Sequence, residues 1–245
     1  MTNYPVIAPN YFYRTGPMSC PYLPGRVERN LFTEIKGPNA QELHDRLASA
    51  GFRRSQGIVY RPACPGCRAC VPVRVEVRGY RHSRSSRRVM RANADLLIRE
   101  GRPNATAEQH ALFARYQRHR HSGSEMAAMS MADYRAMVEE STIDTWMVEF
   151  RSRLGCLVAC CLVDRLADGL SAVYSFYAPD EERRGLGNFV VLWLIEQAQR
   201  EDLSYVYLGY WIAASDKMSY KARFRPLQAL GATGWAPLSL PEDVP

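Results

Sequence analysis

In "VPVRVEV" the hydrophobic positions alternate, so Val71, Val73, Val75 and Val77 fall on one side of an extended chain and predict a strand. "GIVYRPA", just before it, reads as a second strand. Upstream, the Pro-rich "CPYLPGRVERNLFTEI" feeds a strand over residues 29–35. "NAQELHDRLASAG" then changes the spacing to four, with Leu43 and Leu47 on one helical face and Gly51 as the stop.

Further along, the pattern turns helical. "TAEQHALFARYQRHRH" opens with Thr106 and Gln109 at capping-box spacing, and "SMADYRAMVEE" opens at a capping residue, Ser130. From Thr145 the chain reads as three strands, "TWMVEFR", "RLGCLVACCLVDRL" and "LSAVYSFYAP", the last two joined by a hairpin turn near Asp168 and Gly169. A helix over 188–201 in "GNFVVLWLIEQAQRE" and a strand in "YVYLGYWI" follow, and "KMSYK" reads as a further helix start. The 188–201 helix is apolar nearly all round and must be buried against a sheet. This order predicts an α/β (α+β) class with a mixed sheet.

Composition narrows the picture. With 245 residues, 47% hydrophobic and 23% charged, the chain has enough material for one large domain or two small ones. No apolar run is long enough to span a bilayer, and "MTNYPVIAPNYFYRTG" lacks the basic start and apolar block of an export leader. These features predict a cytoplasmic protein with no membrane partner, its cysteines mostly reduced. The net charge of +7 is uneven: residues 1–100 hold 17 Lys or Arg against 7 Asp or Glu, leaving 15 against 18 for the rest. "RGYRHSRSSRRVMRAN" has no acid between Glu76 and Asp95, and guanidinium forks suit phosphate contacts, so the first part points to a nucleic acid. Alone, the same run is also consistent with a solvated surface loop.

Candidate chemistry starts with "RPACPGCRAC", where Cys64, Cys67 and Cys70 follow one another at two-residue spacing in what reads as the hairpin loop between two predicted strands. Such spacing suits zinc or an iron–sulfur cluster, and each of these ordinarily takes four ligands when structural. Cys156, Cys160 and Cys161 read instead as small hydrophobes inside an apolar strand. "DEERRGLGNFVV" between a strand and a buried helix resembles the central motif of the GNAT acyltransferase fold, in which backbone amides at a helix N-terminus hold a pyrophosphate. Gly185 and Gly187 take the glycine positions, but Glu182 stands where that fold has Gln or Arg, and a carboxylate there repels a pyrophosphate. An acetyl-CoA-dependent N-acetyltransferase is therefore one alternative reading. A non-catalytic, metal-knuckle RNA-binding protein is another; it explains the cysteines and the basic run but not the acyltransferase-like half.

Several segments in order, "MSCPYLPGRVERNLFTEI", "GFRRSQGIVYRPACPGCRACVPVRV", "RYQRHRH", "YSFYAPDEERRGLGNFVVLWLIEQA" and "YVYLGYWI" with "KMSYKARFRPLQAL", resemble the arginyl-tRNA–protein transferase family, and more closely its short bacterial branch. The likeness runs from about Asn10 to Pro237. It implies transfer of leucine from leucyl-tRNA to the α-amine of proteins beginning with Asp or Glu, which marks them for degradation by the N-degron route, with no cofactor required for transfer. It also implies a smaller N-terminal α/β subdomain over residues 1–100 that carries the cysteine loop and Arg-rich segment. A GNAT-like aminoacyl-transfer domain over 101–240 and a tail over 241–245 complete the expected organisation.

The chemistry asks little of the protein. An aminoacyl ester is already activated, so the enzyme aligns a neutral amine and stabilises the developing oxyanion, with no covalent nucleophile. The aminoacyl end is expected at the Gly-x-Gly turn, on Arg183, Arg184, Gly185, Gly187 and Asn188, with Tyr207 and Trp211 ranked first among the nearby aromatic residues Tyr174, Tyr177 and Tyr210. An acidic first residue needs a cation, best a guanidinium fork, and Arg26, Arg61, Lys221 and Arg223 are the candidates. Arg84, Arg87 and Arg88 stand as contacts to the tRNA body, and His119 and His121 as a base or RNA contact. The family pattern supplies a fourth thiol, Cys20, which with Cys64, Cys67 and Cys70 makes a four-thiolate site for a structural zinc or iron–sulfur cluster.

Overall fold

The computed structural model describes residues 10–120 and 125–240; the expected tail and His121 lie outside them. Its N-terminal part holds β1 (Tyr13–Arg14), β2 (Met18–Ser19), β3 (Val27–Glu28), β4 (Asn30–Glu34), α1 (Ala40–Ser49), β5 (Arg53–Ser55) and β6 (Ile58–Pro62). Four of these strands form an antiparallel sheet in the order β1-β4-β6-β5, and α1 covers it through Ala40 and Leu43 packed on Ile35 and Val59. Gly51 ends the helix in the left-handed region at φ +82°.

After these come β7 (Val71–Glu76), α2 (Arg84–Ala92), β8 (Leu97–Gly101), α3 (Ala107–Arg120), α4 (Met131–Glu139), β9 (Thr145–Arg151), β10 (Leu157–Leu166) and β11 (Gly169–Tyr177). The chain ends in α5 (Leu186–Arg200), β12 (Tyr205–Trp211), the short α6 (Asp216–Ser219), β13 (Leu227–Gly231) and β14 (Gly234–Pro237). Eight strands make one mixed sheet in the order β14-β13-β7-β12-β11-β10-β9-β8. Among the described residues its one parallel pair is β11 with β12, joined through α5. Both expected caps form: Thr106 and Gln109 exchange backbone–side-chain hydrogen bonds, and Ser130 and Asp133 close a capping box.

Two expectations need correction. The strands flanking the cysteine loop are not a hairpin: β6 pairs with β4 and β5 in the small sheet, whereas β7 lies between β12 and β13 in the large one. The loop therefore links the two sheets, and strands from both sides of residue 100 share the large one. The Arg-rich run is a helix rather than a loop, because Ser83 caps it by accepting from the Ser86 amide and because Val89 and Met90 pack on the core.

The large sheet is covered on both faces. Ala159, Cys161 and Val163 of β10 point to the side of α5, while Cys160 and Leu162 point to the side of α3 and α4. This explains why β10 is a continuous apolar run rather than an alternating one. Cys160 and Cys161 are the small buried hydrophobes expected, but Cys156 is exposed ahead of the strand. Among the described residues no helix is long and apolar enough to cross a membrane.

The two sheets are held together by a buried ion pair. Arg54 of β5 donates from Nε and Nη2 to the two carboxylate oxygens of Asp164 on β10, each at 2.7 Å. Thr145 donates to the same carboxylate and His44 Nε2 lies 3.3 Å from it. Burial alone would raise the Asp164 pKa, but His44 and Arg54 outweigh it and hold the carboxyl below its ordinary value. Replacing Asp164 by Asn strands the Arg54 charge and is expected to cost about 3–5 kcal/mol in urea unfolding. In the unmodified protein this contribution is complete above the unfolded-state pKa and disappears as the pH falls through the folded one, so acid unfolding read by circular dichroism should flatten in the variant.

Candidate active site

Parallel β11 and β12 pair over three residues only, Gly169–Ser171 with Tyr205–Tyr207, and then part. Each strand carries a bulge where they separate. Val173 is the extra residue of β11 against β10, and Leu208 is the extra residue of β12 against β7. A wedge opens between the strand ends, close to the α5 N-terminus, and its backbone carbonyls on the β11 side need partners.

Arg53 of β5 supplies them. Its Nη2 donates to the carbonyls of Val173 at 2.7 Å and Ala172 at 3.3 Å. Across the wedge, Gly209 has φ +72°, and a Cβ there would lie 2.5 Å from both Cδ and Nε of Arg53. Tyr60, Tyr22, Tyr210 and Tyr220 surround the guanidinium; burial alone would lower its pKa, and these phenols outweigh it, so the group stays charged. Among the described residues Arg53 makes no ion pair, and its Nε and Nη1 have no hydrogen-bond partner.

Lys221 lies beside it, 5% exposed, with Nζ donating to the Tyr210 carbonyl and to the Met218 sulfur. Burial first and the Arg53 charge second push its pKa well below the ordinary lysine value. Tyr210 donates to the backbone carbonyls of Gly51 and Tyr60, tying the wedge to the small sheet. Burial raises the Tyr174 pKa to about 12, so this phenol, held by Gln117 at 2.6 Å, stays protonated at neutral pH.

The structure distributes the other expected residues unevenly. Gly185 has φ +62° and makes the turn into α5, followed by Leu186, Gly187 and Asn188 in the first turn. Gly187 is packed under a phenol: a Cβ there would lie 3.0 Å from Tyr177 Cε1 and 3.2 Å from its hydroxyl. The second glycine thus admits the Tyr177 ring, which meets Tyr116 edge to face with centroids 4.9 Å apart. Arg183 is exposed. Arg184 is committed elsewhere, bonded to both oxygens of Asp95, to Glu181 and to the Ala92 carbonyl, and so locks the end of α2 to the turn before α5.

Tyr207 lies outside the wedge, because it belongs to the paired half of β12. Its hydroxyl contacts Asp168 and Arg74, and its ring packs on Trp235 and Leu166. Trp211 is at the wedge end, where its indole donates to the Ser219 carbonyl and holds the turn that carries Lys221. Arg61 donates to the Ala50 carbonyl, and Arg26 and Arg223 are exposed; none of these three joins Lys221 beside Arg53. Arg84, Arg87 and Arg88 lie on the exposed side of α2, with Arg87 donating to the His82 carbonyl. His119 is exposed, 3.7 Å from Glu182.

Cys20, Cys64 and Cys67 lie within electrostatic reach of Cys70. Burial first, then the other three thiols, push Cys70 up to about 12, and the Arg29 amide donates to the Cys64 sulfur. The donor set suits a thiophilic ion, but among the described residues no three ligating side chains stand close enough to hold one. None of the chemistry described here passes through a metal.

Sequence reasoning missed Arg53 because "GFRRSQG" presents two adjacent arginines and nothing local says which is paired. The one available signal was strand alternation, which sends them to opposite faces.

The family model for the N terminus of arginine-tRNA-protein transferase matches residues 18–88, and that for its C terminus matches residues 108–231. A relative from Paramagnetospirillum magneticum, named aspartate/glutamate leucyltransferase, is 54% identical over 96% of each chain. One of the same name from Rhodospirillum rubrum is 51% identical over 94% of each. Among solved structures, FemX aligns with a TM-score of 0.47 at 8% identity, covering 86% of this chain and 82% of its own. The matched segments span both sheets and every element of the wedge, and the chain belongs to the arginine-tRNA-protein transferase family.

Proposed function

We propose that this enzyme transfers leucine from leucyl-tRNA to the α-amine of proteins whose first residue is Asp or Glu, in the cytoplasm, and so marks them for degradation. The observation that carries the reading is the wedge itself, where Arg53 and Lys221 sit together with no carboxylate paired to either among the described residues. A site built this way attracts an anion on the acceptor. The basic face of α2, next to the α5 turn, offers a track for the donor's phosphates. The names of the relatives supply leucine and the acidic residues.

The reaction needs positioning above all. The ester carbonyl carbon of leucine is attacked by the acceptor nitrogen, the ribose oxygen leaves with a proton, and an amide forms. An α-amine titrates near 8, so a sizeable fraction is already neutral at cellular pH. The tyrosine-lined wedge restricts water and fixes the approach, while hydrogen-bond donors facing the developing oxyanion lower the barrier. An acetyl-CoA enzyme fits less well, because Tyr177 covers the first turn of α5 and Glu182 precedes it.

Incubation with radiolabelled aminoacyl-tRNAs and peptides differing only in their first residue should place leucine on Asp and Glu peptides. Label from arginyl-tRNA instead would change the donor, and absence of transfer would remove the reading. Replacing Arg84, Arg87 and Arg88 together should weaken tRNA binding and lower its salt slope by roughly one for each lost phosphate contact; an unchanged slope would leave these arginines as solvated surface. We also propose that the four thiols close on zinc or an iron–sulfur cluster, so metal analysis of anaerobically purified protein should find one element, depleted in Cys70→Ser. Protein with neither would return the four to reduced thiols.

A further inference from the structure

Three features of Arg53 go beyond the support of a strand edge. The side chain spends Nη2 on two neutral carbonyls and leaves Nε and Nη1 without a partner among the described residues. Its charge is unmatched in a half-buried position, where guanidinium groups are ordinarily paired with an acid. And β12 gives up a side chain for it: only glycine at 209 both tolerates φ +72° and leaves space for Cδ, Nε and Cζ. Lys221 has no acid partner among the described residues either, and the tyrosines around both contribute rings and hydroxyls but no negative charge at neutral pH.

Resting on the function proposed above, we infer that Arg53 is the specificity-determining residue for the acceptor: its unmatched charge and an unpaired N–H, on Nε or Nη1, bind the side-chain carboxylate of the incoming Asp or Glu, beside the guanidinium that Gly209 accommodates. Nε–H and Nη1–H lie on different edges of the group, so the contact is a single charge-assisted hydrogen bond, and selectivity comes from charge: a carboxylate neutralises the guanidinium, whereas the amide of Asn or Gln does not. Of the cations expected from sequence, Arg26 and Arg223 lie on the surface and Arg61 is bonded to Ala50, so none supplies this geometry. Lys221 lies deeper, with Nζ held by the Tyr210 carbonyl, and burial beside Arg53 disfavours its charged form.

The test is the ratio of kcat/KM for Asp- over Asn-initiated peptides, measured with saturating leucyl-tRNA, alongside leucyl-tRNA affinity by filter binding. In the unmodified protein the ratio should be about 100-fold or more. Arg53→Gln should bring it to within a few fold, mainly through KM, with tRNA affinity changed less than about twofold. Arg53→Lys keeps the charge but loses the planar group that holds the strand-edge carbonyls and presents a separate N–H, and should retain part of the ratio. Gly209→Ala leaves every polar side chain intact while displacing the guanidinium, and should lower the ratio by more than it lowers leucyl-tRNA affinity.

A ratio unchanged in Arg53→Gln and Arg53→Lys overturns the inference. So does a uniform loss of transfer to all peptides together with tRNA affinity, which would mark Arg53 as purely architectural. Failure of the unmodified protein to transfer leucine to any peptide would sink the proposed function and this inference with it. Transfer without loss of selectivity in the variants sinks the inference alone.

Discussion

The Arg54–Asp164 pair fixes where the small sheet meets the large one, and the wedge depends on it. Asp164 is fully buried and accepts from Arg54 and Thr145 at once, so its charge is compensated where solvent cannot help. Docking β5 in this way sends the preceding side chain, Arg53, to the opposite face of its strand, which is the face toward β11 and β12. Two adjacent arginines therefore have unlike fates. One is consumed in holding the sheets together, and the other is carried by that contact into the wedge with its charge unmatched.

The second constraint is the pair of bulges. A parallel pair that continued past Ser171 and Tyr207 would satisfy its own backbone and leave no opening. The extra residues, Val173 and Leu208, turn the strands apart at the same level, while β10 and β7 keep the outer edges paired to Tyr177 and Trp211. The opening is thus rigid, framed on both sides by continuous ladders, and the carbonyls it exposes are met by a side chain from another sheet. Tyr210, bonded to Gly51 and Tyr60, closes the same seam from the other direction.

Local elements were legible in the sequence and long-range choices were not. Alternation found β7, capping residues found α3 and α4, and the all-apolar stretch found α5, because each signal is written within a few residues. The pairing of β7 was invisible: a strand after a short loop reads as half of a hairpin, and only the assembled sheet shows that its partners are β12 and β13, more than a hundred residues on. The site divides in the same way. Spacing picked out Cys64, Cys67 and Cys70, and the Gly-x-Gly turn, but not that Gly187 serves Tyr177, that Arg184 is bound to Asp95, or that Tyr207 lies in the paired half of its strand. Arg53 was hidden for a related reason. An unpaired cation is defined by partners that are absent, and absence has no local pattern.

The positive charge also serves two purposes that physics keeps apart. Val89 and Met90 anchor α2 in the core, and Asn93 donates to the Arg184 carbonyl, so the helix is fixed beside the turn that begins α5. Because Arg184 is spent on Asp95, the uncommitted charge near that turn is the exposed Arg183 and the outward face of α2, where water and salt reach it. At physiological ionic strength the field of such groups decays within about 8 Å, so they act on phosphates that touch the helix and weaken steeply as salt rises. Arg53, half-buried among tyrosines, is screened far less. On the proposed function, donor binding and acceptor recognition draw on the same residue type in different dielectric surroundings, so that a loosely held, salt-sensitive polyanion and a carboxylate meet at one wedge without competing for the same cations.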